Sequence, residues 1–271
     1  MSDEGLRNKK TLLTPNSSLL THEFLWLASY ALDLSSSQIM AREKFSDDEI
    51  TKINALIERR NNHEPLQYIM GVADFYGRDF EVGEGVLIPR HDTETLIEAA
   101  KKYFSPEKKF TFLDWGTGSG CIAITLLLEF RNSSAVMLEK SDKAKNYAKK
   151  NLERFNLTDR AEIISEILEK NFDLIISNPP YIPSHEIKNL MPEVKNFEPE
   201  LALDGGIDGM NFYKLIFSQA KNILKSNGYI ILETGNLEQV KALKNFDENF
   251  IFENEFLDGG NFPRCLVLRR N

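Results

Sequence analysis

From residue 110 onward the sequence alternates between short apolar runs of strand character and longer runs with helical spacing, and this alternation restricts the fold more than any other feature. Strands are expected at 110–114, 135–139, 161–165, 172–177 and 229–234, and helices at 119–130, 141–155, 212–224 and 237–245. A chain that alternates in this way builds a parallel sheet with helices on its faces. The tail, Phe250-Ile251-Phe252 and Cys265-Leu266-Val267-Leu268, supplies two further strands, expected as a hairpin-like pair closing one sheet edge. In such sheets ligands bind in the crevice beyond the carboxyl ends of the strands. The segments that follow those ends therefore carry the chemistry.

The first is Leu113-Asp114-Trp115-Gly116-Thr117-Gly118-Ser119-Gly120, which closes a strand and opens a helix. Its glycines let backbone approach a ligand closely. A glycine-rich strand-to-helix turn is weak evidence alone, because many nucleotide folds share it. The spacing here is G-x-G-x-G rather than the dinucleotide G-x-G-x-x-G, and no P-loop lysine follows, which counts against NAD and ATP. A ligand with an amino acid part is favoured, its ammonium meeting Asp114 or nearby carbonyls.

The second is Glu139, expected to end the next strand. A carboxylate there can accept hydrogen bonds from both ribose hydroxyls of a nucleoside. An exposed Glu near a helix start, favoured by the helix dipole, explains it equally well when it is taken alone. The preceding glycine loop tips the balance toward ribose.

The third is Asn178-Pro179-Pro180-Tyr181, where a buried strand ends and an irregular segment begins. Two consecutive prolines fix φ twice and remove two backbone donors, and Asn178 is pushed toward extended geometry. The result is a stiff turn offering carbonyl oxygens, an amide and an aromatic ring, suited to a planar group bearing N–H donors. Proline-rich turns are common. A strand ending in this tetrapeptide, downstream of a glycine loop and a ribose carboxylate, is far more specific. The segment 182–211 is long for a connection within a domain. Glu198-Pro199 and Gly205-Gly206 suggest an ordered lid over the substrate.

Upstream of the alternation the chain is helical. Residues 17–34, with Ser17 or Ser18 as cap, carry Leu20, Phe24, Leu27 and Ala31 at helical spacing, and Ser46-Asp47-Asp48-Glu49 matches a capping box opening a second helix. A small bundle or a partner-docking module both satisfy this pattern. Residues 66–90 are punctuated by glycines between the β-prone runs Phe75-Tyr76, Phe80-Glu81-Val82 and Val86-Leu87-Ile88, reading as a hairpin linker. Asp92 or Thr93 can cap the helix that follows, to about Phe104.

A formal net charge of −8 over 271 residues argues against a duplex-DNA binder, which needs a basic footprint. Cys121 and Cys265, far apart, are expected as buried small hydrophobes in a reducing compartment. The four histidines are scattered, so no metal site is expected. No run is apolar and long enough to span a membrane, and no signal-peptide core is visible, so a cytoplasmic location is expected.

Read together, Glu64-Pro65-Leu66-Gln67-Tyr68-Ile69-Met70-Gly71, Pro89-Arg90-His91-Asp92-Thr93-Glu94, the glycine loop, Asn178-Pro179-Pro180-Tyr181-Ile182-Pro183, Phe197-Glu198-Pro199, Ala202-Leu203-Asp204-Gly205-Gly206 and Glu233-Thr234-Gly235 resemble the S-adenosylmethionine-dependent N5-glutamine methyltransferases of peptide chain release factors. The resemblance covers nearly the whole chain. It implies a helical release factor-docking domain at 1–70, a β-hairpin linker at 71–90, and a seven-stranded, Rossmann-like class I methyltransferase domain at 91–271. It implies S-adenosylmethionine held by Asp114, Gly116, Thr117, Gly118, Ser119, Gly120, Glu139 and Asn178. It also implies a substrate glutamine held by Asn178, Pro179, Pro180 and Tyr181, with Asn178, Pro179 and Tyr181 carrying catalysis and Tyr181 stacking on the glutamine. No direct contact with nucleic acid is expected, and a monomer is. His91 departs from the family's proline, Glu139 from its commoner aspartate, and Ser165-Glu166 from its Ser-Asp. The adenine-side contacts are expected near Glu166 and Ile167. A ribosomal-protein glutamine methyltransferase shares the tetrapeptide, and a DNA adenine-N6 methyltransferase is the more distant alternative. The latter needs a basic channel to hold a flipped base.

Overall fold

The computed structural model describes residues 21–167 and 170–271, and the expected helix start at Ser17 or Ser18 lies outside them. The chain divides into two compact units. Of the described residues, one unit holds those up to Gly71 together with 192–197, and the other holds those within 72–191 and 198–271.

The first unit is a helical bundle of α1 (Thr21–Leu32), α2 (Ser36–Ala41), α3 (Asp47–Asn61) and α4 (Leu66–Met70). Leu27, Ile39, Phe45, Ile53, Ile57 and Ile69 form its core. The capping box at Ser46 forms as expected: Ser46 N–H donates to Glu49 Oε2 at 2.9 Å, and Glu49 N–H to Ser46 Oγ at 3.3 Å. Arg60 on α3 ties this unit together, donating to Glu23 of α1 at 3.0 Å and to Glu193 at 2.8 Å.

The second unit opens with β1 (Val72–Phe75) and β2 (Arg78–Glu81), an antiparallel pair. Tyr76 and Gly77 both have positive φ, 55° and 67°, the backbone of a two-residue I′ hairpin turn. The structure departs from the glycine-punctuated reading of 66–90 at both ends, while the expected helical domain to residue 70 agrees with the first departure. Residues 66–70 are helical, and Val86-Leu87-Ile88 forms no strand; Val86 and Ile88 are instead buried as single side chains.

The main sheet contains β3 (Thr111–Trp115), β4 (Ser134–Leu138), β5 (Ala161–Ile164), β6 (Phe172–Ser177), β7 (Leu224–Glu233), β8 (Phe250–Leu257) and β9 (Pro263–Arg270). Its order is β5-β4-β3-β6-β7-β9-β8. The first five strands are parallel, and β9 runs antiparallel between β7 and β8, so β8 is one edge strand and β5 the other. β7 starts five residues earlier than the apolar pattern predicts. The register with β6 jumps from Phe172↔Leu224 to Leu174↔Tyr229, so 225–228 bulge out with Asn227 at φ 61°. The crossovers are α6 (Cys121–Glu129), α7 (Asp142–Arg154) and α9 (Asn211–Ile223), while α5 (Glu94–Tyr103) precedes the sheet and α10 (Leu237–Leu243) links β7 to β8. A short α8 (Pro192–Lys195) lies in the long connection after β6.

Helices on both faces explain why β3, β6 and β7 read as continuous apolar runs rather than alternating ones. Beside the start of β3, Phe104, Phe110 and Phe130 cluster, Phe104 stacking on Phe110 at 4.3 Å between centroids. Phe110→Ala is expected to destabilise this unit by about 3–5 kcal/mol. A lowered denaturation midpoint with wild-type fluorescence in the native baseline is the observable. A loss below about 1 kcal/mol would mean the cluster tolerates a cavity.

Candidate active site

The strand order reverses between β3 and β6: β4 and β5 lie on one side of β3, and β6 and β7 on the other. That switch point opens a crevice beyond the strands' carboxyl ends. There the structure has a cavity of about 680 Å³. Gly116, Thr117, Gly118 and Ser119 after β3, Glu139 after β4, Glu166 and Ile167 after β5, and Asn178, Pro179 and Pro180 after β6 all line it.

Each segment is held by its neighbours. Gly116 and Thr117 N–H groups donate to Leu138 O at 2.8 and 3.0 Å, which folds the glycine loop onto the end of β4. Gly118 sits at φ 58°, and its N–H donates to Glu139 Oε2 at 3.0 Å. Ser141 N–H holds Glu139 Oε1 at 2.9 Å. The carboxylate is thus fixed by one backbone donor on each oxygen, and each oxygen retains accepting capacity toward the cavity. Gly120 caps α6 at φ 84°, where a Cβ would meet Met137 Cε at 2.9 Å.

Two predicted residues stand behind the wall rather than in it. Gly120 and Asp114 are absent from the cavity lining, and Asp114 is fully buried. Its Oδ2 accepts from Thr117 Oγ1 at 2.5 Å and from Ala123 N at 3.2 Å, stitching the glycine loop to α6. Tyr181 also does not line the cavity. Its ring packs against the core between sheet and α9, and its hydroxyl donates to Glu233 Oε1 at 3.1 Å. The Tyr181 carbonyl accepts from Gln239 Nε2 at 2.8 Å. His91 is exposed, with Nδ1 3.2 Å from Glu94 Oε1. Asp74, His91 and Glu94 bring ligand-type atoms within 4.8 Å of one another. Glu94 Oε1 also accepts from Tyr76 N–H at 2.9 Å.

Other residues come to the site that were not singled out as site residues in the sequence, some of them from the segment expected to form a lid. Thr93 lines the cavity and accepts a hydrogen bond from Asn178 Nδ2 at 3.0 Å. Arg90 lines it too and pairs with the buried Glu198, which also accepts from Ile88 N–H at 3.1 Å. Pro199, Leu201 and Ala202 of the long connection form part of the wall, and Ile182 and Leu203–Gly205 hydrogen-bond each other beside it. Phe212, Leu215 and Gln219 of α9 complete it. The motif Pro89–Glu94 was visible in the sequence; that Thr93 meets Asn178 across 85 residues was not.

Burial raises two carboxyls here to about 7, Asp114 and Glu233, both above the ordinary carboxylate range. The folded state therefore holds their protons more tightly than the unfolded chain does. Their stabilising contribution is full below about pH 4 and is lost as pH rises to and through about 7. Asp114→Asn is expected to flatten the decline of unfolding free energy over that window by on the order of a few kcal/mol. Denaturant titrations at pH 5 and pH 8 check it; an unchanged difference between the two would refute the assignment.

Residues 91–194 match the methyltransferase small domain family, and residues 16–71 match the PrmC N-terminal domain. A release factor glutamine methyltransferase of Geobacter sulfurreducens is 39% identical over 238 residues, covering 87% of this chain and 80% of that one. The chain belongs to the release factor glutamine methyltransferase family. A bifunctional methyltransferase of Rickettsia prowazekii is 41% identical over 231 residues, 77% of this chain but 45% of the longer relative. Among solved structures, a methyltransferase from Pyrococcus furiosus superposes with a TM-score of 0.53 at 20% identity, covering 72% of this chain and 90% of that one. That likeness shows the class I methyltransferase fold. The chain is an S-adenosylmethionine-dependent methyltransferase, and the site fits that donor: a glycine loop at positive φ, a fixed carboxylate after β4 and a cavity of sufficient size converge at one edge. Among the described residues, no helix is long and apolar enough to cross a membrane.

Proposed function

We propose that this enzyme methylates the side-chain nitrogen, N5, of the glutamine in the Gly-Gly-Gln motif of peptide chain release factors, in the cytoplasm, as a monomer and without direct contact to nucleic acid. The observation that carries this reading is the pairing of Asn178 with Thr93. One N–H of Asn178 Nδ2 donates to Thr93 Oγ1, which turns the nitrogen side of the amide toward Thr93 and leaves the acceptor, Oδ1, for a substrate. An acceptor beside the stiff Pro179-Pro180 backbone suits a group that arrives with N–H donors.

When bound, S-adenosylmethionine supplies an electrophilic methyl on a sulfonium; Gly116–Gly118 and Glu139 would hold it. Asn178 Oδ1 and the Pro179 carbonyl accept hydrogen bonds from the two N–H groups of the glutamine amide. They fix the amide plane and turn the nitrogen lone pair, otherwise delocalised into the carbonyl, toward the methyl. Methyl transfer would leave the C–S bonding pair on sulfur, and the substrate nitrogen, gaining positive charge as its bond to carbon forms, would lose one N–H proton to water. Acceptors aimed at that charge act in the transition state rather than the ground state. Holding two reactants in such a pose can remove roughly 7–11 kcal/mol from the barrier. Tyr181, whose hydroxyl is engaged by Glu233, acts by holding the turn rather than by stacking on the substrate. The helical unit is the docking surface in this reading.

The test is direct. The protein is incubated with labelled S-adenosylmethionine and, separately, release factors, a ribosomal protein and DNA, and the label is mapped by mass spectrometry. Label on the glutamine of the Gly-Gly-Gln loop is expected. Label on a ribosomal glutamine would move the substrate, and label on adenine would overturn the reading.

A further inference from the structure

The turn at 178–181 has few means of holding itself. Pro179 and Pro180 carry no N–H. Outside the helices and strand ladders, no backbone–backbone hydrogen bond among the described residues involves 178–181. The turn is held from its ends instead. At the near end the Ser177 hydroxyl donates to Trp115 O at 2.6 Å, and Asn178 Nδ2 donates to Thr93 Oγ1 at 3.0 Å. At the far end the Tyr181 carbonyl accepts from Gln239 Nε2 at 2.8 Å. Gln239 lies in the first turn of α10 and is 2% exposed. Its own N–H donates to Oδ1 of the N-cap Asn236 at 2.9 Å, which fixes the backbone from which the side chain reaches. Besides Tyr181 O, Nε2 donates to Gly209 O at 3.2 Å, and Oε1 accepts from Gly235 N–H at 2.9 Å. The nitrogen faces two carbonyls and the oxygen faces an N–H, so only one orientation of this amide satisfies all three partners. Three segments meet on one side chain: the turn after β6, the return of the long connection at Gly209, and the loop after β7. That connection presses closely on the turn, since a Cβ at Gly205 would lie 2.8 Å from Tyr181 Cα. Its Pro199, Leu201 and Ala202 wall the cavity.

We propose that Gln239 is a positioning residue for methyl transfer: by holding the Tyr181 carbonyl it fixes the direction in which the Pro179 carbonyl faces the substrate. The inference rests on the glutamine-transfer reading above, in which that carbonyl is one of the two acceptors for the substrate amide. The argument is torsional. Both proline φ angles are fixed, and Asn178 and Pro179, each preceding a proline, are confined to extended geometry. Between the Thr93 and Gln239 anchors the remaining soft torsions lie chiefly about Pro180 and Tyr181. Pinning the Tyr181 carbonyl takes up that freedom, and the same side chain sets the long connection against the turn at Gly209. Gln239 does not line the cavity, so it acts through the turn alone. The residue type suits the task. A carboxylate offers no donor to two carbonyls, and a hydrocarbon side chain leaves all three buried partners unsatisfied.

Gln239→Met, which keeps the length and removes the hydrogen bonds, is expected to lower kcat about 10- to 100-fold with KM and donor affinity within about twofold, the signature of a misplaced group. Gln239→Glu is expected to fall at least as far at high pH. A protonated carboxyl has one O–H to give and one oxygen to accept with, and burial raises the pH at which it forms. The ratio of Gln239→Glu to wild-type kcat should therefore rise as pH falls from about 9 to about 6, while the Gln239→Met ratio stays flat. The clamp itself is observed without turnover. In ligand-free protein labelled with ¹⁵N-glutamine, the Gln239 side-chain NH₂ resonance, identified by its loss in Gln239→Met, should be protected from hydrogen exchange. An NH₂ that exchanges as freely as those of exposed glutamines would overturn the proposal. So would Gln239→Met with wild-type kcat, a loss of donor affinity as large as the loss of kcat, or Gln239→Glu that never exceeds Gln239→Met at the acid end. A protected NH₂ in a wild type that labels no release factor would leave the clamp standing and remove the substrate reading instead.

Discussion

Asn178→Ala is expected to cut turnover on a release factor by about 10²- to 10³-fold, the range seen when one preorganised hydrogen-bonding group facing a transition state is lost. Donor affinity should stay within about twofold. The split follows from where Asn178 sits. It lines the cavity at the end of β6, and its own nitrogen is already committed to Thr93. In the proposed mechanism truncation removes the acceptor that orients the substrate amide, and it leaves Glu139 and the glycine loop as they are. The loop is held by Leu138 O, Glu139 and Asp114, none of which touches Asn178 in the hydrogen-bond pattern. Single-turnover kinetics together with calorimetry of S-adenosylmethionine binding separate the two effects. Near-normal methylation by this variant would remove Asn178 from the mechanism.

Gly118→Arg should act on the other half of the site and lose donor binding altogether. Gly118 has φ 58°, where an L side chain is strained by roughly 1–2 kcal/mol. Open space surrounds its Cβ direction, the nearest atom being Val86 Cγ2 at 3.9 Å, so the fold can accept the arginine. The side chain then occupies the cavity itself. A loss of at least about 100-fold in affinity, near 2.8 kcal/mol, is the expected calorimetric result, with the thermal transition little changed. Unchanged affinity would show that this loop does not hold the donor.

Much of this architecture can be read from residue order. The strand–helix alternation after residue 110 predicts a parallel sheet because each apolar run is too short for a helix and, apart from 161–165 and the two tail runs, each is followed by one. The capping box at Ser46 is a local device whose partners are three residues apart, and it forms as read. Failures of the reading occur where local signals are weak or tertiary contacts override them. Leu66–Met70 is helical because Pro65 starts it and Gly71, at φ 73°, stops it, although its neighbours favour β structure. Val86-Leu87-Ile88 has the composition of a strand but no partner strand to pair with, so its side chains are buried singly or turned to the cavity. Tyr181 looks like an aromatic offered to a ligand. Its phenol is instead drawn inward by Glu233, a partner 52 residues away.

The sequence by itself determined the fold class, the order of the glycine loop, the carboxylate and the Asn-Pro-Pro-Tyr turn, and hence the chemistry of the donor site. These depend on periodicity and on conformational limits of glycine and proline, which act over a few residues. Only the tertiary structure decided which of those residues face the cavity and which stand behind it. Asp114 and Tyr181 stand behind the wall, Glu139 is held by a backbone donor of the glycine loop, and Thr93 accepts from Asn178. The physical reason is that a hydrogen bond between residues 85 apart leaves no trace in local spacing. It exists only because β6 and β7 lie side by side and bring the turn before α5 against their ends.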